Sequence, residues 1–308
     1  MSRLVDFHSH FFSRPFFEAL ASESPLEGTP LERMDRVALE AGIRLPVPDI
    51  ASHLGLWLSE LDRYGVQHLV TFASHPAEAD AVGEAVRMAS GRLSALAVVN
   101  PRQDGSDARL ATLLAGGDFR GALLFPAMHR YALDGPELEG ILKVLEAHRG
   151  IALVHCGLLR VGLRDRFGFP RGYDLTLANP LALARPAECH PEVRFVIPHF
   201  GAGYFRETLM LGAQTENVFV DTSSSNSWIA TQPAGLSLVD VFERALGVFG
   251  PRRILFGTDS SIFPRGWRHD VLLSQREALG ACGLDDADIG RILGENAAAL
   301  LGLGQVSP

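Results

Sequence analysis

The sequence predicts an α/β fold, specifically a (β/α)8 TIM barrel with insertions after strands 1 and 5. Eight short apolar runs alternate with segments of helical periodicity along the chain. The runs near Ser74, Asn100 and Pro126 follow one another at equal spacing, which accommodates one strand and one crossover helix. Runs such as LAVV and RFVI are apolar at both parities, as expected for strands covered on both faces.

The predicted strands, in chain order, are Leu4–His8, His68–Ser74, Leu93–Asn100, Gly121–Phe125, Ile151–His155, Arg194–His199, Val218–Thr222 and Arg253–Asp259. Alternation of eight such runs with helices favours a closed barrel over an open sheet. A length of 308 residues suggests two domains at about 150 residues each, but barrels of this size form one. We therefore expect residues 1–308 to form a single domain.

The clearest predicted helices are Ser52–Tyr64, Ala77–Ser90, Asp107–Leu114 and Glu137–His148. The first places Leu54, Trp57 and Leu61 on one face and stops near Gly65. Asp107 is the predicted N-cap of the third helix.

Two connections are too long to be simple loops. Phe11–Ala51 follows the first strand, and Gly157–Pro191, which follows the fifth, carries several arginines among aromatic residues. Both leave the carboxyl ends of strands, where barrel enzymes build their active sites. We predict that both form lids or pocket walls.

Composition excludes several classes of protein. The chain is 47% hydrophobic, which predicts a large core, and its net charge of −8 argues against a nucleic-acid partner. It has no run of about 18 apolar residues and no long apolar stretch at its start, so we expect neither a membrane span nor a signal peptide. Three separated cysteines without a CxxC pair fit a cytoplasmic protein.

Histidines and an aspartate stand at the carboxyl ends of several predicted strands. His8 and His10 alternate along the first strand and point the same way, so two imidazoles about 6–7 Å apart can converge on one cation. His155 closes the fifth run, His199 the sixth and Asp259 the eighth. Because strand ends of a barrel surround one mouth, these residues predict a metal site rather than unrelated core histidines and a helix cap.

These residues, with the segments DFHSH, HFGAG, NVFVDTS, RILFGTDS and GENAAALLGL, make the chain resemble the amidohydrolase superfamily. The resemblance is to the branch of metal-dependent TIM-barrel hydrolases that includes the aminocarboxymuconate-semialdehyde decarboxylases. It implies that His8, His10, His155 and Asp259 hold the metal while His199 stands free in the pocket. The alternative, in which His199 is a ligand and His155 is free, stays open.

The resemblance also bears on the number of metal ions. Relatives with two ions bridge them through a carboxylated lysine, or sometimes a glutamate, of the fourth strand. Here that strand reads RGALLFP, and the only lysine, Lys143, falls in a predicted helix. We therefore expect one divalent ion, with Zn²⁺ as the default and Mn²⁺ or Fe²⁺ as alternatives.

A bound divalent cation lowers the pKa of its water from about 15.7 toward 7. Asp259 is expected to take a proton from that water and pass it to a leaving group, and His199 to stabilise or protonate an oxyanion. Asp6 shares the predicted face of the two strand histidines and is expected to order a ligand histidine or a neighbouring arginine, or else to form a buried ion pair.

Weaker candidates for substrate binding are Arg160, Arg164, His75, His129 and Trp267. The two arginines can hold a carboxylate bidentately, although ordinary surface arginines are the alternative. Cys156 has the opposite parity to its neighbour His155 and is interpreted as core packing. The Ser223–Ser225 run lacks a GxSxG context and is interpreted as a polar loop.

The sequence thus favours a mononuclear metal-dependent hydrolase of a small organic ester, lactone or amide. A non-oxidative decarboxylase of an aromatic or muconate-like acid is the first alternative. A non-catalytic barrel with a structural metal is the second, and it predicts four protein ligands with no position for water. The expected partner is a small-molecule substrate, and a homodimer is the commonest assembly for such enzymes.

Overall fold

A computed structural model of the chain describes residues 3–223, 226–233 and 235–304. Within them, eight parallel strands form one sheet in sequential order from β1 to β8. The strands are β1 (Val5–His10), β2 (His68–Ala73), β3 (Leu93–Val99), β4 (Phe119–Leu124), β5 (Ile151–Val154), β6 (Arg194–Ile197), β7 (Val218–Asp221) and β8 (Ile254–Leu255). The predicted (β/α)8 barrel is confirmed.

The barrel closes between β1 and the segment that follows β8. The amide of Phe7 donates to the carbonyl of Phe256 over 2.8 Å, and the amide of His10 donates to the carbonyl of Ser260 over 2.7 Å. The eighth strand is shorter than predicted. At Gly257 the chain passes so close to β1 that an added Cβ would lie 2.8 Å from the Cβ of His8.

Most helices follow the strands on the outside of the barrel, and those of the two long insertions lie at its mouth. They are α1 (Arg14–Glu23), α2 (Pro30–Ala41), α3 (Ile50–Tyr64), α4 (Ala79–Met88), α5 (Ser106–Ala115), α6 (Pro126–His129), α7 (Pro136–Ala147), α8 (Gly162–Arg166), α9 (Ala184–Cys189), α10 (Phe205–Gln214), α11 (Leu238–Phe249), α12 (His269–Ala281), α13 (Asp286–Gly290) and α14 (Asn296–Leu301). The prediction of Asp107 as an N-cap is wrong, because α5 starts at Ser106 and Gly105 occupies the cap in a left-handed conformation. No helix in the described ranges is both long and apolar enough to cross a membrane.

Two hydrophobic layers hold the barrel together. Side chains such as Phe7, Phe72 and Leu153 fill its interior. Alternate residues of the strands, including Val154 and Cys156, pack against the helices in the outer layer. This arrangement supports the interpretation of Cys156 as a core residue.

The two long insertions pack against each other at the carboxyl ends of the strands, and we call the pair the cap. Its core consists of Phe12, Phe16, Phe17, Leu20, Ala21, Met34, Val37 and Phe167, all buried. Hydrogen bonds from Ser24 Oγ to the carbonyl of Phe167, 2.6 Å, and from Arg166 Nη1 to the carbonyl of Glu40, 3.2 Å, join the two insertions. The cap therefore covers the mouth of the barrel as one small packed unit.

Candidate metal centre

Three of the predicted metal ligands converge at the mouth of the barrel. One ligand atom each from His8, His10 and Asp259 lies within 4.8 Å of the other two, in the only such group among the described residues. Asp259 Oδ1 is 3.3 Å from His10 Nε2 and 3.8 Å from His8 Nε2. His8 is buried, whereas the side chains of His10 and Asp259 remain 18% and 27% exposed toward the cavity.

A bulge in β1 brings the two histidines to this position. Between Asp6 and Ser9 the pairing with β2 shifts, so three steps along β1 match two steps along β2. Val5 and Phe7, before the shift, pack in the barrel interior. Without the bulge, strict alternation would turn His8 away from the interior side that Phe7 occupies.

Asp259 is held in a conformation that is uncommon for a residue with a side chain. Its φ is 57°, and its amide donates to the carbonyl of His8 over 2.9 Å. Such left-handed conformations persist where the surroundings over-determine them, and they cluster at functional sites. The backbone bond thus ties the carboxylate directly to the first histidine.

Neighbouring groups orient the two imidazoles. The Nδ1–H of His8 donates to Asp221 Oδ2 over 2.8 Å, so the ring carries its lone pair on Nε2 when it is in the neutral form that binds a metal. His10 Nδ1 lies 3.0 Å from Ser74 Oγ, a hydroxyl oxygen that can accept a hydrogen bond from the Nδ1–H. Both Nε2 atoms are therefore able to act as ligands beside the Asp259 carboxylate.

Asp221 is a functional residue that the sequence analysis missed. It ends β7, is fully buried, and contacts His8 with one oxygen. Its other oxygen accepts hydrogen bonds from Ser223 Oγ and from the amide of His199. The signal was present, because a carboxylate follows an apolar strand run here as it does at Asp259.

Ser223 is also more than a polar loop residue, so that interpretation is corrected. It is fully buried, and its Oγ lies 2.8 Å from His199 Nδ1 and 3.1 Å from His8 Nδ1. The hydroxyl donates to Asp221 and lies between the Nδ1 atoms of His8 and His199, so it is part of one hydrogen-bonded cluster with both histidines. Ser224 and Ser225, the rest of the run, lie outside the described residues.

His199 stands beside His8, His10 and Asp259, the candidate metal-binding group. Its ring centroid is 4.8 Å from that of His8, and its own φ of 55° turns the chain immediately after β6. The Nδ1–H donates to the carbonyl of Ser223 over 3.0 Å, which leaves Nε2 as the basic atom of the neutral ring. Burial, reinforced by the charge of His8, lowers the pKa of His199.

His155 lies next to His199 but outside the group of three. Their ring centroids are 5.3 Å apart, and His155 stacks on Phe125 with centroids at 5.5 Å. Its Nδ1 is buried and has no hydrogen-bond partner among the described residues. Burial, followed by the charges of His199 and His8, lowers the pKa of His155 to about 3, so the ring is neutral.

The charges at the centre suit a cation. Burial alone would raise the pKa of Asp259, but a hydrogen bond from His10 and the nearby histidine charges outweigh it, and the pKa falls well below its usual range. Imidazoles bind a metal in their neutral form, and an ionised carboxylate beside them completes a ligand set that zinc and related divalent ions prefer. His8, His10 and Asp259 therefore fit a divalent metal ion.

Asp6 contacts the candidate ligand His8 through the backbone rather than through its ring, and it forms no ion pair among the described residues. Its carboxylate accepts from the amides of His8 and Thr258, at 3.0 and 3.1 Å, and from Trp267 Nε1 at 2.8 Å. The bulge in β1 separates its orientation from that of the histidines. Burial outweighs these hydrogen bonds and raises the pKa of Asp6 to about 6.

The prediction that Trp267 lines the pocket is wrong. Its side chain is 2% exposed, packs in the outer layer, and stands 5.4 Å from the ring of Tyr64 between centroids. The indole N–H satisfies Asp6 instead of facing a substrate. Trp267 thus packs on the outer side of the barrel, where its hydrogen bond to Asp6 stabilises the contact between β1 and the segment after β8.

A cavity of about 1120 Å³ opens above the metal-binding group and beneath the cap. Four of the predicted substrate-binding residues, His75, His129, Arg160 and Arg164, line it, together with His8, His10, His155, His199 and Asp259. Aromatic side chains from the cap and barrel, including Phe12, Phe16 and Phe125, form much of the remaining wall. Both insertions are therefore pocket walls, as expected.

Comparison with known proteins gives a consistent result. The amidohydrolase family profile matches residues 5–303, whereas no curated protein sequence matches the chain. Among solved structures, the chain is similar to 5-carboxyvanillate decarboxylase LigW from Sphingomonas paucimobilis, with a TM-score of 0.69, 15% identity, and coverage of 99% of this chain and 100% of that one.

Two further structures have the same fold. A putative 2-pyrone-4,6-dicarboxylic acid hydrolase from Pseudomonas putida gives a TM-score of 0.62 at 18% identity, covering 99% of this chain and 100% of its own. An amidohydrolase from Burkholderia multivorans with bound zinc gives 0.64 at 16% identity, covering 98% and 100%. With a family match over nearly its whole length and a barrel that presents the expected side chains at its mouth, the chain belongs to the amidohydrolase family of TIM-barrel enzymes.

Proposed function

We propose that the protein is a mononuclear metal-dependent hydrolase that acts on a small organic ester, lactone or amide. The observation that carries this proposal is the convergence of His8, His10 and Asp259 at the base of a large cavity, with His199 beside them. The cavity leaves the exposed parts of His10 and Asp259 accessible to a small molecule. This access argues against a closed structural metal site.

His8, His10 and Asp259 would hold the metal, and the family resemblance adds His155 as the fourth side chain. When bound, a divalent cation supplies a Lewis acid that polarises a carbonyl and makes water acidic enough to ionise near neutral pH. Of the residues of β4, Leu123 alone lines the cavity, and Arg120, the one charged residue of that strand, is exposed and does not line it. That supports one ion rather than two, and we expect it to be zinc.

Two side chains of the chain can move protons. Asp259, whose carboxylate is ionised, can accept a proton from the attacking water at a carboxylate oxygen. His199 can stabilise the developing oxyanion from Nε2, or deliver a proton there, because Ser223 fixes its Nδ1–H on the other side of the ring. Asp221 bonds the amide of His199 with one carboxylate oxygen and the ring of His8 with the other, which holds the two histidines at a fixed distance from each other.

A second candidate function is a non-oxidative decarboxylase of an aromatic or muconate-like acid. The observation that favours it is the charge of the cavity wall, which among the described residues includes five arginines but only the carboxylates of Glu23 and Asp259. A decarboxylase needs a cationic clamp for its substrate and a proton donor for the carbanion. The wall arginines and His199 have the required chemistry.

One experiment separates these functions. The zinc-loaded protein is incubated with a panel of lactones and a panel of hydroxybenzoates, while acid release and carbon dioxide release are followed. Acid release from lactones supports the hydrolase, and carbon dioxide release supports the decarboxylase. Metal analysis should find about one equivalent per chain. If the metal-loaded protein releases neither acid nor carbon dioxide from the panels, both proposals are contradicted.

A further inference from the structure

Arg164 lies half-buried in the cavity wall with a donor that the protein does not satisfy. It belongs to α8 in the cap, and its Nε is buried without a hydrogen-bond partner among the described residues. The guanidinium carbon stands 4.2 Å from the centre of the Phe169 ring, and this stacking fixes the plane of the group. The Nε has almost no accessible surface, but among the described residues nothing bonds to the two Nη groups, so these are the donors that a ligand in the cavity can reach.

Three other arginines of the same wall, Arg160, Arg166 and Arg265, already have protein partners, and the remaining one, Arg109, is exposed. Arg160 and Arg171 share the carboxylate of Asp165, at 4.0 and 3.0 Å. Arg166 donates to the carbonyl of Glu40, and Arg265 Nη2 donates to Ser261 Oγ over 2.7 Å. By contrast, no carboxylate within residues 3–223, 226–233 and 235–304 forms an ion pair with Arg164.

His129 adds a second unsatisfied donor or acceptor close to Arg164. Its Nδ1 is buried and also lacks a partner among the residues that the structure describes. Burial, with the charge of Arg164 as the next cause, lowers the pKa of His129 to about 4. The ring is therefore neutral near pH 7 and lies against the backbone of Val99, so it borders the position of an anion without adding a charge that would repel Arg164.

Aromatic rings connect this place to the metal-binding group. Phe125 meets His129 edge-on, with centroids 6.3 Å apart, and stacks on His155. A second line of stacked rings runs from His10 through Phe12 to Phe16, with centroid distances of 4.7 and 4.2 Å. Both lines border the same cavity, and flat aromatic walls suit a planar ligand.

We propose that Arg164 and His129 form a binding site for a carboxylate, or a similar planar oxyanion, that the substrate carries away from its reacting group. The substrate class is then a planar acid whose reacting group lies at the metal centre while a second anionic group pairs with Arg164. This inference rests on the proposed function only in that the reacting end of the ligand is placed at His8, His10 and Asp259.

The test measures binding, which does not depend on turnover. The zinc-loaded protein is titrated by calorimetry with three probes, namely benzoate, isophthalate and terephthalate. At least one dicarboxylate should bind about tenfold or more tightly than benzoate, since a hydrogen bond to a charged group contributes about that factor. In R164Q this preference should disappear.

Two further variants sharpen the result. R164K keeps the charge but loses the planar fork, so it should retain only part of the preference. R171Q removes an exposed arginine that already pairs with Asp165 and should behave as the unchanged protein. The proposal is overturned if neither dicarboxylate binds more tightly than benzoate, or if R164Q weakens all three probes equally.

The outcome is independent of the hydrolase and decarboxylase assay. An Arg164-dependent preference in a protein that releases neither acid nor carbon dioxide from the panels would support the anion site and contradict the proposed reactions. Turnover of a panel substrate with no Arg164-dependent preference would contradict the anion site alone.

Discussion

Replacing Glu78 by glutamine should change how the stability of the protein depends on pH. Glu78 is fully buried beneath the cap, between the start of α4 and the first insertion. Its Oε1 accepts from the amide and hydroxyl of Ser13, at 2.5 and 3.0 Å, and its Oε2 accepts from the amide of Ser74 at 2.9 Å. Burial outweighs these three hydrogen bonds and raises the pKa of Glu78 from 4.5 to about 7.

Whether the free energy of unfolding rises or falls with pH depends on which state, folded or unfolded, binds the proton of Glu78 more tightly. Below pH 4.5 Glu78 is protonated in both the folded and unfolded chain, and its full contribution to stability is present. Between pH 4.5 and 7 the unfolded chain ionises while the folded chain stays protonated, so the free energy of unfolding falls. Above pH 7 the contribution has been lost. At 1.36 kcal/mol per pKa unit, the loss amounts to about 3 kcal/mol.

The assay is denaturant unfolding of metal-free protein from pH 4.5 to 8, which keeps the pH dependence of metal binding out of the comparison. The difference in free energy of unfolding between the unchanged protein and E78Q should shrink by about 3 kcal/mol as pH rises across this range. The exposed Glu84 of α4 supplies the control, and E84Q should show no such change. A difference between the unchanged protein and E78Q that stays constant with pH would refute the reasoning.

Three other substitutions test the metal centre. D221N should weaken zinc binding about 10- to 100-fold, measured by competition with a chelator, because it removes the charged acceptor of His8 Nδ1–H; unchanged affinity would contradict that role. H199Q should keep its zinc and lose about 10²–10⁴-fold in activity. If H199Q loses zinc and H155Q keeps it, His199 is the metal ligand and His155 is the free histidine. G257A should lower the free energy of unfolding by about 1–3 kcal/mol, because the added Cβ would crowd the Cβ of His8. Denaturant unfolding measures this change, and an unchanged free energy of unfolding in G257A would contradict the close approach of the two segments.

The strand pattern and the strand-end side chains were predictable because both follow from local sequence. Each apolar run became a strand, and the polar residues that close the first, fifth, sixth and eighth runs all line the cavity. The rule that strand ends of a barrel share a mouth is enough to predict that His8, His10 and Asp259 lie near one another, whereas alternation alone does not give the direction of each side chain.

Features that depend on departures from regular geometry could not be predicted in the same way. Strict alternation from Val196, which faces the barrel interior, would turn His199 outward, but positive φ at His199 and Phe200 brings the imidazole back to the mouth. The bulge in β1 likewise reverses the relation between Asp6 and His8. Such deviations are set by contacts between distant segments, which a single sequence does not reveal.

The metal-binding group lies where the first strand meets the last, and this place has a consequence for stability. The bonds from His10 to Ser260 and from Asp259 to His8 close the barrel within the same few residues that would bind the ion. A metal bound by His8, His10 and Asp259 therefore joins two segments about 250 residues apart in sequence, in addition to its role in chemistry. Since the unfolded chain does not present these ligands together, the ion binds the folded state preferentially and must raise its stability.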